Sequence, residues 1–408
     1  MSDPTRFRYR PGFVNSLDVR GWPVTALRTT GRPAATPGSS PGRLLQVIRS
    51  RDDWTRQQLL AETGLSRMTL FERLDPLFRA GLVHEAGPAG PTGGRPAALI
   101  RFADQGRVVL VLDLDHHTAR VAVTDLAGRS LRERELAVDV AGPPDSVLTT
   151  ACDAGDALLA AGAAETLVGV GVALPGPVSP VTGLLRPATV MPGWDGFPIA
   201  AAIAARWPVP VLLENDARAH ALGEAADRPG TTPLVAVKYA HGIGAGVVLD
   251  GALLCGFDGA AGDIGHIRVT GDDAAPLCRC GRTGCLAAFA SGYALLRRRG
   301  VTPSSSDDLA ARLAASGDLR DGARLLGRTL AGLVALVNPQ TIVLGGSLGR
   351  LPVVVDEVTA AVRADALERL TGDLEIVAST ARHPAAVGMA ALVTGHVYAP
   401  AAVDALLA

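Results

Sequence analysis

The hydrophobic period of this chain changes once, near residue 104, and the change divides it into two kinds of fold. Before it, apolar residues recur at helical spacing: Leu44, Leu45, Val47 and Ile48, then Leu70, Leu74 and Leu77. After it they form short runs such as Val108-Val109-Leu110-Val111-Leu112, separated by turns and helix-length stretches. Strands alternating with helices over about 300 residues predict an α/β body of two lobes.

Charge follows the same division. Residues 1–101 hold 15 arginines and 8 acidic residues, leaving 24 of the 39 basic and 32 of the 40 acidic residues for the remainder. A basic first quarter on an acidic body suggests a polyanion-binding module joined to something else. With 48% apolar and 19% charged residues the bulk is globular. No apolar run approaches the roughly 20 residues of a membrane span. The N-terminus has basic residues without a signal-like apolar core, and five cysteines do not form a secreted disulfide framework. The expectation is a cytoplasmic protein with no membrane partner. Residues 1–41, rich in Pro, Gly, Ser and Thr, are expected to be a flexible arm; a basic arm reaching into a DNA groove is the alternative.

Residues 42–103 carry a winged helix-turn-helix pattern. Thr55 is a candidate N-cap and Gln58 its capping-box partner. Gly64 suits the turn, and Ser66 caps a second helix that Pro76 should kink or end early. Two short helices around a glycine turn, then strand, Gly/Pro-rich loop and strand, make a DNA-binding module. The second helix of such a module enters the major groove and the wing touches backbone or minor groove. The candidate contacts to a double-stranded operator are Gln57, Ser66, Arg67, Thr69, Arg73 and the wing residue Arg95.

Cys278, Cys280 and Cys285 lie within eight residues, with Gly281 and Gly284 between them. Thiolates at this spacing favour a tetrahedral metal such as zinc. Cys152 and Cys255 read as ordinary buried thiols. Asn215 and Asp216 directly follow the strand Val209–Leu213, where α/β folds bind ligands, and could grip hydroxyl groups.

Seven motifs occur in one order: Asp113-Leu-Asp-His-His-Thr118, Leu174-Pro-Gly-Pro-Val178, Glu214-Asn-Asp-Ala217, Gly242-Ile-Gly-Ala-Gly246, Gly262-Asp-Ile-Gly-His266, the cysteine cluster, and Leu344-Gly-Gly346. The chain over about 104–400 resembles the ROK family of repressors, open reading frames and kinases. The resemblance implies a two-lobed actin-like sugar kinase fold over 104–408. Lobe 1 would be about 104–222 plus the C-terminal segment, and lobe 2 about 223–380. The preceding winged helix matches the family's repressors. By resemblance His266 is the fourth ligand of a closed, structural zinc site. Asn215, Asp216, Asp263 and His266 would bind sugar, and Asp216 would be the base of a kinase.

The chain departs from that pattern at both sites. The family's Glu-x-Gly-His is Asp263-Ile-Gly-His266, and the Glu two residues after the last cysteine is Ala287. The first phosphate loop has Asp115 and His116 where the kinases have two glycines, and His241 replaces the Thr of the second loop. Asp115 would place negative charge beside ATP phosphates, and both side chains stand where backbone contact is needed. The expectation is therefore no enzyme, but a sugar-responsive transcriptional regulator, most often a repressor. It would act as a homodimer or homotetramer on a palindromic site. The rivals are a regulator that no longer senses sugar, and an active sugar kinase with a fused DNA-binding domain.

Overall fold

The computed structural model describes residues 40–88, 98–186, 190–272, 274–301 and 306–408. The wing residue Arg95 and the arm before Ser40 lie outside them. Helix α1 (Pro41–Arg49) and strand β1 (Trp54–Thr55) lead into α2 (Arg56–Thr63). The expected capping box is present: Gln58 N–H donates to Thr55 Oγ1 at 3.2 Å and Thr55 N–H to Gln58 Oε1 at 2.8 Å. Gly64 ends α2, and Ser66 caps α3 (Arg67–Arg79). The expected break at Pro76 does not occur; α3 runs through it to Arg79. The bond that Pro76 forgoes is to the carbonyl of Glu72, an exposed residue, so water can serve that oxygen. Strands β2 (Val83–Pro88) and β3 (Ala98–Phe102) complete a small sheet in the order β1-β3-β2.

The first lobe contains β4 (Arg107–Leu114), β5 (Thr118–Asp125), β6 (Ser130–Ala137), α4 (Pro144–Ala160), β7 (Thr166–Leu174), α5 (Ile199–Ala204) and β8 (Val211–Asn215). Helix α6 (Asp216–Ala226) crosses to the second lobe. That lobe contains β9 (Leu234–Tyr239), β10 (Ile243–Leu249), β11 (Ala252–Leu253), a 3-10 turn at Ile264–His266, α7 (Leu286–Ala290), α8 (Gly292–Arg298), α9 (Ser306–Leu313) and α10 (Gly317–Val337). It continues with β12 (Thr341–Gly345), α11 (Gly346–Gly349), α12 (Pro352–Asp365), α13 (Glu368–Thr371) and β13 (Glu375–Ala378). Helices α14 (Pro384–Val397) and α15 (Pro400–Leu407) end the chain.

The two large sheets have one plan. Their orders are β6-β5-β4-β7-β8 and β11-β10-β9-β12-β13. In each, an antiparallel meander is extended by two parallel strands reached through helical crossovers. This is the two-lobed actin-like sugar kinase fold.

Helix α6 lies where the lobes meet. Its Ala221 rests on β10 at Gly246, where a Cβ would come within 2.4 Å of the alanine's own Cβ. On its other side α6 crosses α14, which also covers β4 and β7 with Met389 and Val393. A Cβ at Gly388 would sit 1.9 Å from the Ala219 carbonyl oxygen, so the two helix backbones touch there.

The chain's end closes the core of the winged helix. Tyr398 and Val403 are buried with Leu44, Leu45, Ile48, Leu74 and Ile100. Gly42 N–H donates to Asp404 Oδ1 at 2.7 Å, and Gln46 Nε2 to the Tyr398 carbonyl at 2.5 Å. Arg107, at the start of β4, donates to the Tyr398 hydroxyl at 3.2 Å and to the Gly81 carbonyl at 2.9 Å. The winged-helix unit is thus built onto the body rather than tethered to it. No single helix among the described residues is long and apolar enough to cross a membrane.

The α6–α14 contact yields a stability prediction. Gly388→Ala forces two helix backbones apart and should cost about 3 kcal/mol, lowering Tm by roughly 6–10 °C. Gly332→Ala, on the exposed face of α10 with open space around it, should leave Tm unchanged or slightly raised. Thermal unfolding followed by circular dichroism checks both.

Candidate functional site

A cavity of about 340 Å³ opens between the lobes. Its floor is set by strand ends: Asp115 and His116 after β4, Pro175 and Gly176 after β7, Asn215 and Asp216 at the β8–α6 junction, and Lys238 and His241 around the β9–β10 turn. Asp263 and His266 come from the 3-10 turn region, and Ala287 from α7.

Lys238 organises this floor. Its Nζ donates to Asp115 Oδ2 at 2.9 Å and to Asp216 Oδ2 at 2.7 Å, joining the second lobe to the first lobe and to α6. Burial works against the ammonium, but Asp115, Asp216 and Asp113 outweigh it and hold its pKa above the ordinary lysine range. Burial likewise opposes ionisation of Asp115, and Lys238 and His116 overcome it, holding that carboxyl well below its usual range. Asp113 has no such partner. Burial, offset in part by Lys238 and reinforced by Asp115 and Asp216, raises its pKa to about 6, and its Oδ1 is buried without a hydrogen bond. Reading the sequence missed Lys238, although a signal exists: it is the only lysine among 408 residues.

The loop around Asp115 and His116 is closed on itself. His116 N–H donates to Asp115 Oδ1 at 2.7 Å, its Nδ1 lies 2.9 Å from the same oxygen, and Asp115 N–H donates to the Thr118 carbonyl at 2.8 Å. Backbone donors that could cradle a phosphate are used within the loop. His241 is buried as well; burial and neighbouring His116 push its pKa down to about 3, so the ring is neutral.

The Asn-Asp pair is strongly engaged by the protein. Asn215 caps α6, its Oδ1 accepting from Ala217 and Arg218 N–H at 3.1 Å, while its Nδ2 donates to the Gly176 carbonyl at 3.2 Å. Asp216 Oδ1 accepts from Ala217 N–H at 2.7 Å, so both of its oxygens have donors. Next to them Arg218, buried, pairs with Glu214 and donates to the carbonyls of Val178 (2.9 Å) and Gly259 (2.5 Å). It pins two cavity-wall loops to α6. The i, i+4 spacing of Glu214 and Arg218 was the available hint.

Beside the cavity, one ligand atom each from His266, Cys278, Cys280 and Cys285 lies within 4.8 Å of all the others. Cys280 and Cys285 sulfurs are 3.7 Å apart, and Cys278 Sγ is 3.5 Å from His266 Nδ1. Around a tetrahedral centre with bonds of about 2.3 Å to sulfur and 2.05 Å to nitrogen, those edges would be about 3.8 and 3.6 Å. The four residues therefore fit a metal ion. Asp263 Oδ1 stands 3.9 Å from His266 Nε2, beyond hydrogen-bond reach.

On the winged helix, Gln57 and Arg67 are exposed. The Ser66 and Thr69 hydroxyls are bonded to each other at 2.9 Å, and Ser66 also caps the Thr69 N–H. Arg73 is half-buried with its Nε enclosed and unpartnered. The helix also presents Met68 and Phe71, 69% and 65% exposed, which the sequence reading assigned no role. Their departure from the 70, 74, 77 core spacing was the visible sign.

The ROK family model matches residues 109–396. The xylose repressor of Bacillus subtilis is 25% identical over 367 residues, covering 86% of this chain and 94% of the repressor. A glucokinase of Halalkalibacterium halodurans is 31% identical over 267 residues, covering 59% of this chain and 80% of the kinase. Among solved structures, a ROK family transcriptional regulator, described as a homolog of the Escherichia coli MLC protein, superposes with a TM-score of 0.71 at 25% identity. It covers 90% of this chain and 98% of its own.

The raised pKa of Asp113 has a testable consequence. The unfolded chain releases this proton near the ordinary value of 3.8, whereas the folded protein holds it to about 6. Folding stability therefore falls as pH rises between those values and stays lower above them. Asp113→Asn should gain on the wild type across that window, by up to about 2–3 kcal/mol at pH 7. Urea unfolding of both proteins at pH 5 and pH 7.5 measures the difference.

Proposed function

This chain belongs to the ROK family, and from that premise we propose that it is a sugar-responsive transcriptional repressor without kinase activity. The observation that carries the reading is the shared core of Tyr398 and Val403 with the winged helix, which makes DNA binding part of the body's own packing. Relatives with repressor names match across that N-terminal unit, while the glucokinase match spans only 59% of this chain.

Loss of phosphotransfer follows from Lys238. A kinase base must take a proton from a sugar hydroxyl, but both Asp216 oxygens already accept hydrogen bonds, one from an ammonium. The first loop offers ATP a carboxylate at Asp115 and no free N–H at His116. The departures at Asp263 and Ala287 leave fewer acceptors for a sugar, so hydroxyl recognition rests on Asn215, Asp216 and Asp263, with His266 at the edge of the cavity.

Effector binding has a continuous path to the DNA. A hydroxyl that meets Asp216 competes with the Lys238 bridge and so changes how the lobes are held. Helix α6 begins at that residue, touches α14 at Gly388, and α14 leads through α15 into the winged-helix core. Only differential affinity for the two lobe arrangements moves the equilibrium. Two copies of the chain would present paired winged helices to a palindromic operator, with Gln57, Arg67, Arg73 and the wing residue Arg95 as contacts. Met68 and Phe71 would meet thymine methyl groups.

We infer that zinc would occupy the site formed by His266, Cys278, Cys280 and Cys285. Three thiolates and one imidazole leave no open coordination position, so the ion would be structural, holding the hairpin 277–285 against the cavity. In Cys280→Ser, zinc measured by mass spectrometry should drop from about one equivalent per chain to near zero, and effector response should be lost. Unchanged response in the zinc-depleted variant would separate the hairpin from signalling.

The function itself is tested by fluorescence anisotropy on DNA from upstream of the chain's own gene, at fixed salt, titrated with a sugar panel. The expected result is tight binding released by one sugar class, with no ATP-dependent phosphorylation of any panel member. Tight binding that no sugar alters would instead make this a sugar-blind regulator, and phosphate transfer to a sugar would overturn the loss of kinase activity.

A further inference from the structure

A series of rings runs from the Asp115 loop to the metal-site hairpin. Centroid to centroid, His116 lies 4.4 Å from His241, His117 5.0 Å from His241, and His241 5.4 Å from Tyr293. Two arginines end the series: the guanidinium carbons of Arg279 and Arg297 are 4.3 and 5.8 Å from the Tyr293 ring centre. Arg279 is the residue between Cys278 and Cys280, and Arg297 lies in the last turn of α8. Both line the cavity together with Tyr293.

Two like charges against one ring call for a counter-charge. Among the described residues neither guanidinium forms an ion pair or donates a hydrogen bond; both face the Tyr293 ring, and Arg279 also feels Asp139 and Cys278 electrostatically, without pairing with either. Guanidinium groups do not deprotonate in proteins, and each offers five N–H donors in a fork that matches an oxyanion. The cavity's remaining permanent cation, Lys238, is already shared between Asp115 and Asp216. An incoming anion would be repelled by those carboxylates and, among the described lining residues, meets permanent positive charge without an ion-pair partner at Arg279 and Arg297.

We propose that the effector is an anionic monosaccharide, a phosphate ester or a sugar acid, whose oxyanion is received by Arg279 and Arg297 while its hydroxyls meet the Asn215–Asp216 side of the cavity. The proposal rests on the cleft being the effector site of a repressor, and it adds the chemical class. It also gives the metal-site hairpin a direct contact with the effector, because Arg279 is part of that hairpin.

The test uses the full-length protein bound to its upstream DNA. Glucose, xylose and N-acetylglucosamine are compared with glucose 6-phosphate, xylose 5-phosphate, N-acetylglucosamine 6-phosphate and glucuronate, and with ATP and pyrophosphate, at constant ionic strength. The readouts are DNA release and thermal shift, for the wild type, Arg279→Gln and Arg297→Gln. The expected result is that one ester or acid acts at concentrations at least tenfold below its neutral parent. Each substitution should weaken that anion ten- to hundredfold and leave the neutral parent unaffected. Zinc content is measured alongside, and Arg297→Gln, outside the hairpin, keeps the test valid should Arg279→Gln lose metal. A neutral sugar that works as well as its ester, unaffected by either substitution, overturns the anion assignment and leaves the sugar-responsive repressor standing. ATP or pyrophosphate acting where no sugar ester does also overturns it and points to a nucleotide. No effect of any compound overturns both readings.

Discussion

The bridge from Lys238 to Asp115 and Asp216 is the interaction on which the rest of the cleft depends. One ammonium holds two carboxylates that come from different parts of the fold, at 2.9 and 2.7 Å. Without it, Asp113, Asp115 and Asp216 would stand as three acidic side chains around one buried floor, and mutual repulsion would push the lobes apart or force protonation. With it, Asp115 is held well below its usual range, while Asp113, which has no partner, is raised chiefly by its burial and further by the neighbouring carboxylates. A lysine suits this place because its compact ammonium donates in three directions, whereas a planar guanidinium would need a wider, flatter gap. The remaining basic residues of the chain are all arginine, so the one exception falls at the one position where that geometry matters.

The same bridge bears on how a kinase-like fold could be put to another use without being rebuilt, as the proposed loss of phosphotransfer requires. The two sheets, the α6 crossover and the Asn-Asp cap are all in place, because each is required for folding whatever the chemistry. Asn215 caps α6 whether or not a sugar is bound, and Gly246 admits α6 onto β10 whether or not a phosphate lies nearby. What differs is a few side chains: a carboxylate that accepts a loop N–H, a stack of histidine rings, and a cation bonded to the carboxylate that a kinase would use as its base. Fold and activity are separable here at the level of single residues.

Much of this was legible in the sequence because it depends on local patterns. The capping box at Thr55, the strand Leu234–Tyr239 and the cysteine spacing are each written in a few neighbouring residues. What was not legible depends on contacts distant along the chain. Pro76 promised a break that α3 does not have, since packing by Leu74 and Leu77 outweighs one missing hydrogen bond. Lys238 lies 123 residues from Asp115, and nothing local to a β-strand lysine announces such a partner. Tyr398 and Val403 look like the end of an Ala-rich tail, yet they complete a core begun more than 300 residues earlier. Arg279 stands inside a cysteine motif whose spacing announces metal ligands, and nothing local announces a guanidinium that lines the cavity and faces Tyr293.

That closure of the N-terminal core by the C-terminal helix also constrains how any signal could travel. A winged helix on a loose tether would feel the body only through local concentration. Here α15 is shared: a rotation of α14 against α6 must either move α1 or break the Gly42–Asp404 and Gln46–Tyr398 hydrogen bonds and expose part of the cluster around Leu44 and Leu45. Apolar burial at about 25 cal/mol per Å² makes exposure of even two leucines cost several kcal/mol, comparable with a whole allosteric coupling energy of about 1–3 kcal/mol. Moving α1 as part of the body is therefore the cheaper response. The proposed rearrangement at Asp216 would then be expressed as reorientation of the winged-helix unit rather than as its detachment.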